Sequence, residues 1–518
     1  MRIEREEIIA AYDKGPRAVV KLVNRIVQQF EKTIARLRGD IAKLEDTIEL
    51  LGIDMGAQER RIDFLVKENQ ELAERIAELE ARLNMNSRNS SKPPSSDGLS
   101  KPPAKRRKAG KPPGGQQGHE GHTLRMVERP DHTVVHTVSR CASCGRSLDR
   151  VKAAGYERRQ VFELPVVRVE VTEHGAQRKK CPSCGSLNTA AFPQGVTQSA
   201  QYGPRARSAA VYLNQYQLLP YERASELMAD LFGCSISQAT LVNATRAASE
   251  NLTGVEREIQ RLLTSSPVAC FDETGMRVEG RGAWLHVAST DKLTHYAVHP
   301  KRGREATDDI GILPAFTGTA VHDCWSPYLT YDCSHALCCA HLVRELAFQE
   351  ECGQEWASDM IDLLLKAYAA VNEAKAMGRQ SLKRSRLKTF EKRYERILAR
   401  GFTANPLPEA RGQPVRRGRK KKTKARNLLE RLRDHRCEVL AFMNDFSVPF
   451  DNNLAERDLR MSKVKQKISG TFRSWNGAHD FCRIRTYIST AKKNHVPVVE
   501  ALASAFRGEP LVPGAIQP

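Results

Sequence analysis

The chain has 518 residues, enough for about three to four domains. Lys and Arg number 82 against 61 Asp and Glu, and the resulting formal charge of +21 predicts attraction to polyanions, of which nucleic acid is the commonest. No run of about 18 apolar residues occurs and the first residues lack an apolar signal core, so we expect a cytoplasmic protein without a membrane span. Thirteen Cys in such a protein indicate metal binding or buried thiols rather than disulfides.

Residues 17–84 carry apolar side chains in one heptad register, which predicts a coiled coil for oligomerisation. The a positions are Val20, Val27, Ile34, Ile41, Ile48, Met55, Ile62, Asn69, Ile76 and Leu83, and the d positions are Val23, Phe30, Leu37, Leu44, Leu51, Gln58, Leu65, Leu72 and Leu79. β-Branched residues at a with Leu at d favour a parallel homodimer, whose register Asn69 would fix. Gly52, Gly56 and Gln58 weaken the seam, so a hairpin within one chain is the alternative.

Residues 85–125 are rich in Ser, Pro, Gly and Lys, as in "SKPPAKRRKAGKPPGG". Such a segment cannot bury a core, so we expect a basic flexible linker. Its six cations between Lys101 and Lys111 are as consistent with non-specific phosphate contacts as with a solvated spacer.

Residues 126–198 contain two C-x-x-C pairs, "CASCG" and "CPSCG". Each pair offers two thiolates from one tight turn, and two pairs complete the tetrahedral shell of a structural Zn²⁺. Cys141, Cys144, Cys181 and Cys184 therefore predict a zinc-ribbon DNA-binding domain. The residues between the pairs alternate in polarity, which predicts a β-hairpin.

Residues 199–265 have helical spacing, interrupted by a Gly-Cys turn that is followed by Ser235 or Ser237 as a helix N-cap. A helix, a turn and a second helix are typical of a DNA-reading unit. An ordinary helical connector has the same pattern and is the commoner case.

From residue 266 to 349 the pattern changes to strands, with a three-stranded meander, a short helical stretch and a fourth strand that ends in Asp323. Asp272 interrupts the first strand, "VACFDETGMRV". A carboxylate within one strand and another at the end of a later strand can lie side by side in one sheet. Crowded carboxylates repel each other, so they either take up protons or bind divalent cations.

Residues 446–510 contain "DNNLAERDLR", in which Asp451 is the expected N-cap of a helix that carries Glu456. The surrounding cations allow a plain surface ion pair for Glu456. The alternative is a third metal-binding carboxylate, followed on the same face by a basic stripe. We predict DNA contacts for Arg457, Arg460, Lys463, Lys467 and Arg473.

The order Asp272, Asp323, Glu456 resembles the DDE triad of transposases, and the chain as a whole resembles transposases of the insertion-sequence-66 family. The matching stretches are "NSSKPPSSDG", "GHEGHTL", the two Cys pairs, "DETGMRV", "WLHV", "CCAHLVREL", "DNNLAERDLR", "KISGTFRSWNGAHDF" and "TAKKN". The resemblance implies a multidomain α+β protein with a ribonuclease-H-like catalytic core. It also implies two Mg²⁺ ions on the triad, cleavage and strand transfer of element ends, small accessory proteins of the same element and a bacterial, nucleoid-associated location.

Residues 350–445 are mostly helical by pattern and look like the helical insertion that several DDE transposases place before their last carboxylate. Nine cations between Arg411 and Arg426, without one acid, predict either DNA contact or a solvated loop. In "LCCAHLVREL", His341 and Arg344 are expected to support the active site or a phosphate. Glu273 and Glu345 are expected to support the site rather than bind metal.

Two functions from different classes remain open from the sequence. One is an active transposase, which the three acids in matching contexts favour. The other is a DNA-binding regulator or inactive relic that uses the zinc ribbon and the basic segments without catalysis. A coiled-coil scaffold is a third alternative, against which the paired Cys motifs and the carboxylate-bearing strands argue.

Overall fold

The computed structural model describes residues 4–83, 85–86, 89, 123–407 and 422–514. It divides into two compact units, residues 1–86 and 87–518. Most of the expected basic linker, and residues 411–421 of the basic run, lie outside the described residues. No described helix is long and apolar enough to cross a membrane.

The first unit consists of two helices. Helix α1 spans Arg5–Asp13 and helix α2 spans Pro16–Leu83. Gly15, with φ of +90°, separates them, and Pro16 is suited to a first helical position. Helix α2 continues through Gly52 and Gly56, so the alternative hairpin is not formed. The apolar heptad side chains, such as Phe30 at 58% exposure, lie on the surface of this single chain.

The segment with the Cys pairs contains little regular structure. Strand β1 (Arg178–Lys180) pairs antiparallel with strand β2 (Leu187–Thr189) around the second Cys pair. The hairpin expected between the pairs is not formed, because residues 151–177 contain no strand. Val161, Leu164 and Val166 are each at least 80% exposed, so this stretch lacks the buried apolar face that stabilises a strand pair.

Helices follow from residue 204, as the sequence predicts. They are α3 (Pro204–Val211), which continues as a π-helical turn over Tyr212–Tyr216, α4 (Tyr221–Phe232), α5 (Gln238–Asn251) and α6 (Thr253–Thr264). Helix α4 ends at Gly233, whose φ of +59° is the left-handed conformation of a C-terminal cap. Ser237 is confirmed as the N-cap of α5, since its hydroxyl accepts a hydrogen bond from the Thr240 N–H at 3.1 Å.

A five-stranded mixed sheet forms the centre of the second unit. Its strands are β3 (Val268–Val278), β4 (Arg281–Ser289), β5 (Thr294–His299), β6 (Thr319–His322) and β7 (Ser334–Leu337), in the order β5-β4-β3-β6-β7. The predicted meander is confirmed, since β3, β4 and β5 pair antiparallel. Strand β6 joins β3 in parallel and β7 joins β6 in parallel. Helix α7 (Arg304–Ile310) lies in the connection between β5 and β6.

Helices complete the unit after the sheet. They are α8 (Cys339–Glu351), α9 (Glu355–Ala376), α10 (Arg384–Ala404), α11 (Lys424–Asp434), α12 (Arg436–Val439), α13 (Ala441–Asn444), α14 (Asn453–Ser469), α15 (Trp475–Lys493) and α16 (Val498–Phe506). Cys270 packs in a core with α8, α9 and α14, whereas Phe271 packs in a second core with α5, α6 and α16. Because side chains alternate along a strand, Asp272 follows Cys270 onto the α8–α14 face and Glu273 follows Phe271.

Candidate active site

Parallel pairing brings the first two predicted carboxylates together. Cys270 of β3 lies opposite Val321 of β6, so Asp272 and Asp323 each follow two residues after this last pair of the register. Strand β6 ends at His322, so Asp323 is the first residue of the loop that follows. The Trp325 N–H donates to the Asp323 carbonyl at 2.6 Å, which turns the chain sharply at this point.

Helix α14 carries Glu456 across the same face of the sheet, where it packs on β3 and β4. Asn452, directly before the helix, is buried and fixes its start: its side-chain amide donates to the Phe271 carbonyl at 2.8 Å. Asn452, not Asp451, is the N-cap residue, although the Asp451 carboxylate accepts a hydrogen bond from the Asn453 N–H at 3.1 Å. The start of the helix is therefore bonded to the residue that precedes Asp272.

The three acids act on one another electrostatically. The pKa of Asp272 lies well above its usual value, first because the carboxyl is desolvated and then because of Glu273, Asp323 and Glu456. The Glu273 N–H, which donates to Asp272 Oδ1 at 2.9 Å, acts in the opposite direction. Such a cluster gains by taking up either protons or divalent cations.

Glu456 has two basic side chains beside it, both at long distance. His341 Nδ1 lies 3.6 Å from Glu456 Oε1, and an Arg344 nitrogen lies 3.7 Å from Oε2. Among the described residues, buried Glu456 Oε1 and His341 Nδ1 have no hydrogen-bond partner. The Glu456 carboxylate therefore keeps an oxygen for a further ligand, and oxygen donors are those that Mg²⁺ prefers. The acids present thus suit such an ion.

Glu273 has a different environment from its neighbour Asp272. Its side chain is only 1% exposed, and Arg302 binds it at 2.6 Å, while the Tyr328 hydroxyl donates to its other oxygen. Burial raises the pKa of Glu273, and the hydrogen bonds from Tyr328 and Arg302 oppose that rise. These partners occupy both oxygens of Glu273, and its supporting role stays a prediction. Glu345 is likewise occupied, by Arg431.

A buried ion pair next to Glu456 was not anticipated from the sequence. Asp458 Oδ2 accepts hydrogen bonds from Lys493 at 2.8 Å, Ser289 at 2.6 Å and Thr294 at 3.1 Å. Lys493 and Asp458 are only 14% and 17% exposed. The pair ties α14 to α15 and to strands β4 and β5, two residues beyond Glu456. The signal available was an acid among the cations of "NLAERDLRMSK", but nothing in the sequence specifies its partner.

The predicted DNA-contacting cations lie on the surface of α14 and in the turn after it. Arg457, Arg460, Lys463, Lys467 and Arg473 are exposed. In the part of the chain that the structure describes, none of the five forms an ion pair with Asp or Glu. Two of them donate to backbone carbonyls, the Lys463 ammonium to Gly275 of β3 at 2.7 Å and Arg457 Nε to Asn453 at 3.2 Å. The remaining cations keep their charge available for an anion.

The four predicted zinc ligands occur in two turns of the same geometry. The Cys141 N–H donates to the Arg146 carbonyl at 2.9 Å and the Cys181 N–H to the Ser186 carbonyl at 2.8 Å. Hydrogen bonds lower the pKa of the thiols, that of Cys141 chiefly through the Cys144 N–H and that of Cys184, to about 7, chiefly through the Ser186 hydroxyl. Within the described residues, no three of the four sulfurs come within 4.8 Å of one another. The structure thus forms each pair but does not bring the two pairs together.

Comparison with known families assigns most of the described chain. Residues 199–480, which include all three carboxylates and more than half of the sequence, match the transposase IS66 family. Residues 139–185, which include both Cys pairs, match the zinc-finger binding domain of transposase IS66. Residues 22–125 match a family of unknown function. No curated protein matches the chain.

Proposed function

The chain belongs to the IS66 family of transposases, and we propose that it is an active DDE transposase that cuts the ends of a mobile DNA element and joins them to target DNA. The observation that carries this proposal is that Asp272 and Asp323 each follow two residues after one pair of parallel strand residues, with Asp323 and Glu456 both close enough to act on the Asp272 carboxyl. A regulator or relic without catalysis has no need of three mutually repelling acids.

Asp272, Asp323 and Glu456 would hold two Mg²⁺ ions. When bound, these ions align an attacking water or 3′-hydroxyl and stabilise the leaving oxygen of a phosphodiester. The protein keeps one carboxylate on a strand, one directly after a neighbouring strand and one on a helix, so that little reorganisation is required. Arg344, which lies 3.7 Å from Glu456, and the exposed cations of α14 would position the DNA phosphates.

A ribonuclease-H-like core fits this proposal. Three antiparallel strands are followed by two parallel ones; the first acid lies on β3 and the second directly follows the neighbouring strand β6. Helices α9 to α13 intervene before the third acid, as in a helical insertion. The same reasoning assigns one Zn²⁺ to Cys141, Cys144, Cys181 and Cys184, because two pairs of thiols form a closed shell for this ion.

Assembly of the protein would use α2. Its exposed heptad seam is apolar along most of the helix, and a partner helix would bury it in a parallel homodimer. Two catalytic units joined in this way could act on two element ends. Light scattering on residues 17–84 tests this, because a monomeric fragment at micromolar concentration contradicts an intermolecular coiled coil.

The substitution Glu456→Gln tests the catalytic proposal, since it keeps size and polarity but removes the charge. We expect Mg²⁺-dependent cleavage and joining of element-end DNA to fall by at least about 10³-fold. Binding of the same DNA is expected to change little. A Glu456 that serves only as a surface ion pair would instead cost about 1 kcal/mol of stability or less and leave cleavage intact.

A matched control is Glu373→Gln. Glu373 lies on helix α9, outside the carboxylate site. It is 55% exposed and pairs with Arg386 of α10 at 3.4 Å. This variant loses the same charge and is expected to cleave normally. Near-normal cleavage by the Glu456→Gln protein would remove Glu456 from the triad and favour the regulator or relic.

A further inference from the structure

Three side chains of different chemistry meet beside the carboxylate pair. Cys338 precedes helix α8, His341 lies in the first turn of that helix, and Glu456 comes from α14. The Cys338 sulfur, one His341 ring nitrogen and one Glu456 oxygen all lie within 4.8 Å of one another. Among the described residues, no other group of three or more Cys, His, Asp or Glu side chains has such spacing.

The distance between His341 and Glu456 distinguishes an ion pair from a metal site. At 3.6 Å the two atoms are too far apart for the usual hydrogen bond of about 2.7–3.2 Å. Nitrogen and oxygen ligands of one tetrahedral Zn²⁺ lie about 3.4 Å apart, given metal–ligand distances near 2.1 Å. Both atoms are buried and without a hydrogen-bond partner within the described chain. The spacing therefore fits a shared ion better than a direct bond.

The environment of Cys338 points the same way. Its thiol is 1% exposed overall, and its sulfur accepts a hydrogen bond from the Asn452 N–H at 3.1 Å. A donor of this kind stabilises a metal-bound thiolate and fixes its direction. Neighbouring Cys339 points elsewhere, since its sulfur donates to the Val439 carbonyl at 3.4 Å. Cys338 is thus the thiol of this pair that faces Glu456.

We propose that Cys338, His341 and Glu456 form a binding site for Zn²⁺. Sulfur and imidazole are ligands that Zn²⁺ accepts readily, whereas Mg²⁺ prefers oxygen alone. Three protein ligands leave a fourth tetrahedral position open for water or a phosphate oxygen. The site differs in ligand type from the pair Asp272 and Asp323 but shares Glu456 with the triad.

Sharing Glu456 has a regulatory consequence, which rests on the proposed function. Zn²⁺ at this site engages the third carboxylate and so competes with its role beside Asp272 and Asp323. Micromolar Zn²⁺ would therefore inhibit cleavage in the presence of excess Mg²⁺. Binding of Zn²⁺ itself does not depend on catalysis and can be measured without DNA.

Cobalt titration of the full chain tests the binding. Co²⁺ replaces Zn²⁺ in such sites, and each Co–thiolate bond adds charge-transfer absorption in the near ultraviolet. Protein stripped of metal should take up one equivalent of Co²⁺ more than the site of the two Cys pairs accounts for. This extra equivalent should have the weaker absorption of a single thiolate, and it should remain when Cys144→Ser disrupts the site of the Cys pairs. The Cys338→Ser and His341→Ala variants should each lose the extra equivalent of Co²⁺ and keep the equivalent bound by the Cys pairs.

Cys270→Ser serves as the matched control. Cys270 is a buried thiol on β3 in the same core but outside the group, so this variant should bind as much Co²⁺ as the unmodified chain. Equal Co²⁺ uptake by the unmodified, Cys338→Ser and His341→Ala proteins would overturn the proposal. The proposal would also be overturned if the unmodified chain took up no Co²⁺ beyond the equivalent bound by the Cys pairs. This result does not depend on any variant with a substitution in the core. Loss of cleavage by the unmodified chain with intact Co²⁺ uptake would count against the proposed function alone.

Discussion

The carboxylate site and the Cys-pair segment both gather ligands that are distant in sequence, but they do so by different means. Asp272, Asp323 and Glu456 are held by a sheet, a buried Asn452 and two apolar cores. The Cys pairs are held by local turns and one short strand pair, and the apolar residues between them are exposed. The first site is organised by packing before any ion binds, whereas the second depends on its ion to bring the two halves together.

Removal of zinc is expected to have the largest effect, on the Cys-pair segment and not on the carboxylate site. A chelator should abolish order across residues 139–189, because structural zinc sites contribute folding free energy outright. Rapid proteolysis there, with unchanged melting of the carboxylate-bearing core, would be the expected result. The substitution Cys181→Ser should reproduce it in the presence of zinc. An unaltered digestion pattern after complete zinc removal would show that this segment is held by something other than the metal.

Disruption of the Asp458–Lys493 pair is expected to destabilise the carboxylate-bearing core and to leave the Cys-pair segment unchanged. Lys493→Met leaves Asp458 in a largely buried position without its cation, which typically costs about 3–5 kcal/mol. The free energy of unfolding, measured with urea, should fall by that amount, while the zinc content stays the same as that of the unmodified chain.

The control for this prediction is Arg386→Met, which also replaces a cation by Met. Arg386 and Glu373 are 49% and 55% exposed, so breaking their pair should cost less than about 1 kcal/mol. Equal losses in the two variants would mean that the Asp458–Lys493 pair does not anchor helix α14.

The same contrast explains what could be predicted from the sequence. Short motifs with fixed spacing gave the Cys pairs, and an ordered set of matching stretches gave the three acids, because both depend on residues that keep their chemistry wherever the chain takes them. The partner of Asp458 could not be predicted, since many cations lie nearby in sequence and only the packing of α15 selects Lys493. Periodicity alone also predicted a hairpin between the Cys pairs, where no second layer buries its apolar face.

Removal of a single cation from α14 is expected to have a smaller effect, on the binding of DNA to the core. Arg460→Ala should weaken binding of element-end DNA several-fold and lower the slope of log K against log salt by about 0.9, since one phosphate contact is lost. Lys463→Ala should have less effect, because its ammonium already binds the Gly275 carbonyl. Lys392→Ala, which removes an exposed cation from α10, is the control for net charge. If all three variants bind alike, α14 does not lie along the DNA.

The smallest expected effect is a change in stability with pH, which follows from the burial of Asp272 beside other acids in the folded protein. The pKa of Asp272 is raised in the folded protein, so the folded state holds a proton that the unfolded chain releases at lower pH. Folding is therefore opposed increasingly as pH rises from the ordinary Asp value near 4 towards the raised value, and is not opposed below it. Asp272→Asn removes this cost, and without divalent ions its melting temperature should exceed that of the unmodified chain at pH 7 and approach it at pH 4. Added Mg²⁺ should stabilise the unmodified chain and narrow the difference at pH 7, because the ion replaces the proton as the partner of the acids. A melting difference that is the same at both pH values would mean that the Asp272 carboxyl is neither desolvated nor repelled by the other acids in the folded protein. The core site, like the Cys pairs, would then be assembled only when its ligand arrives.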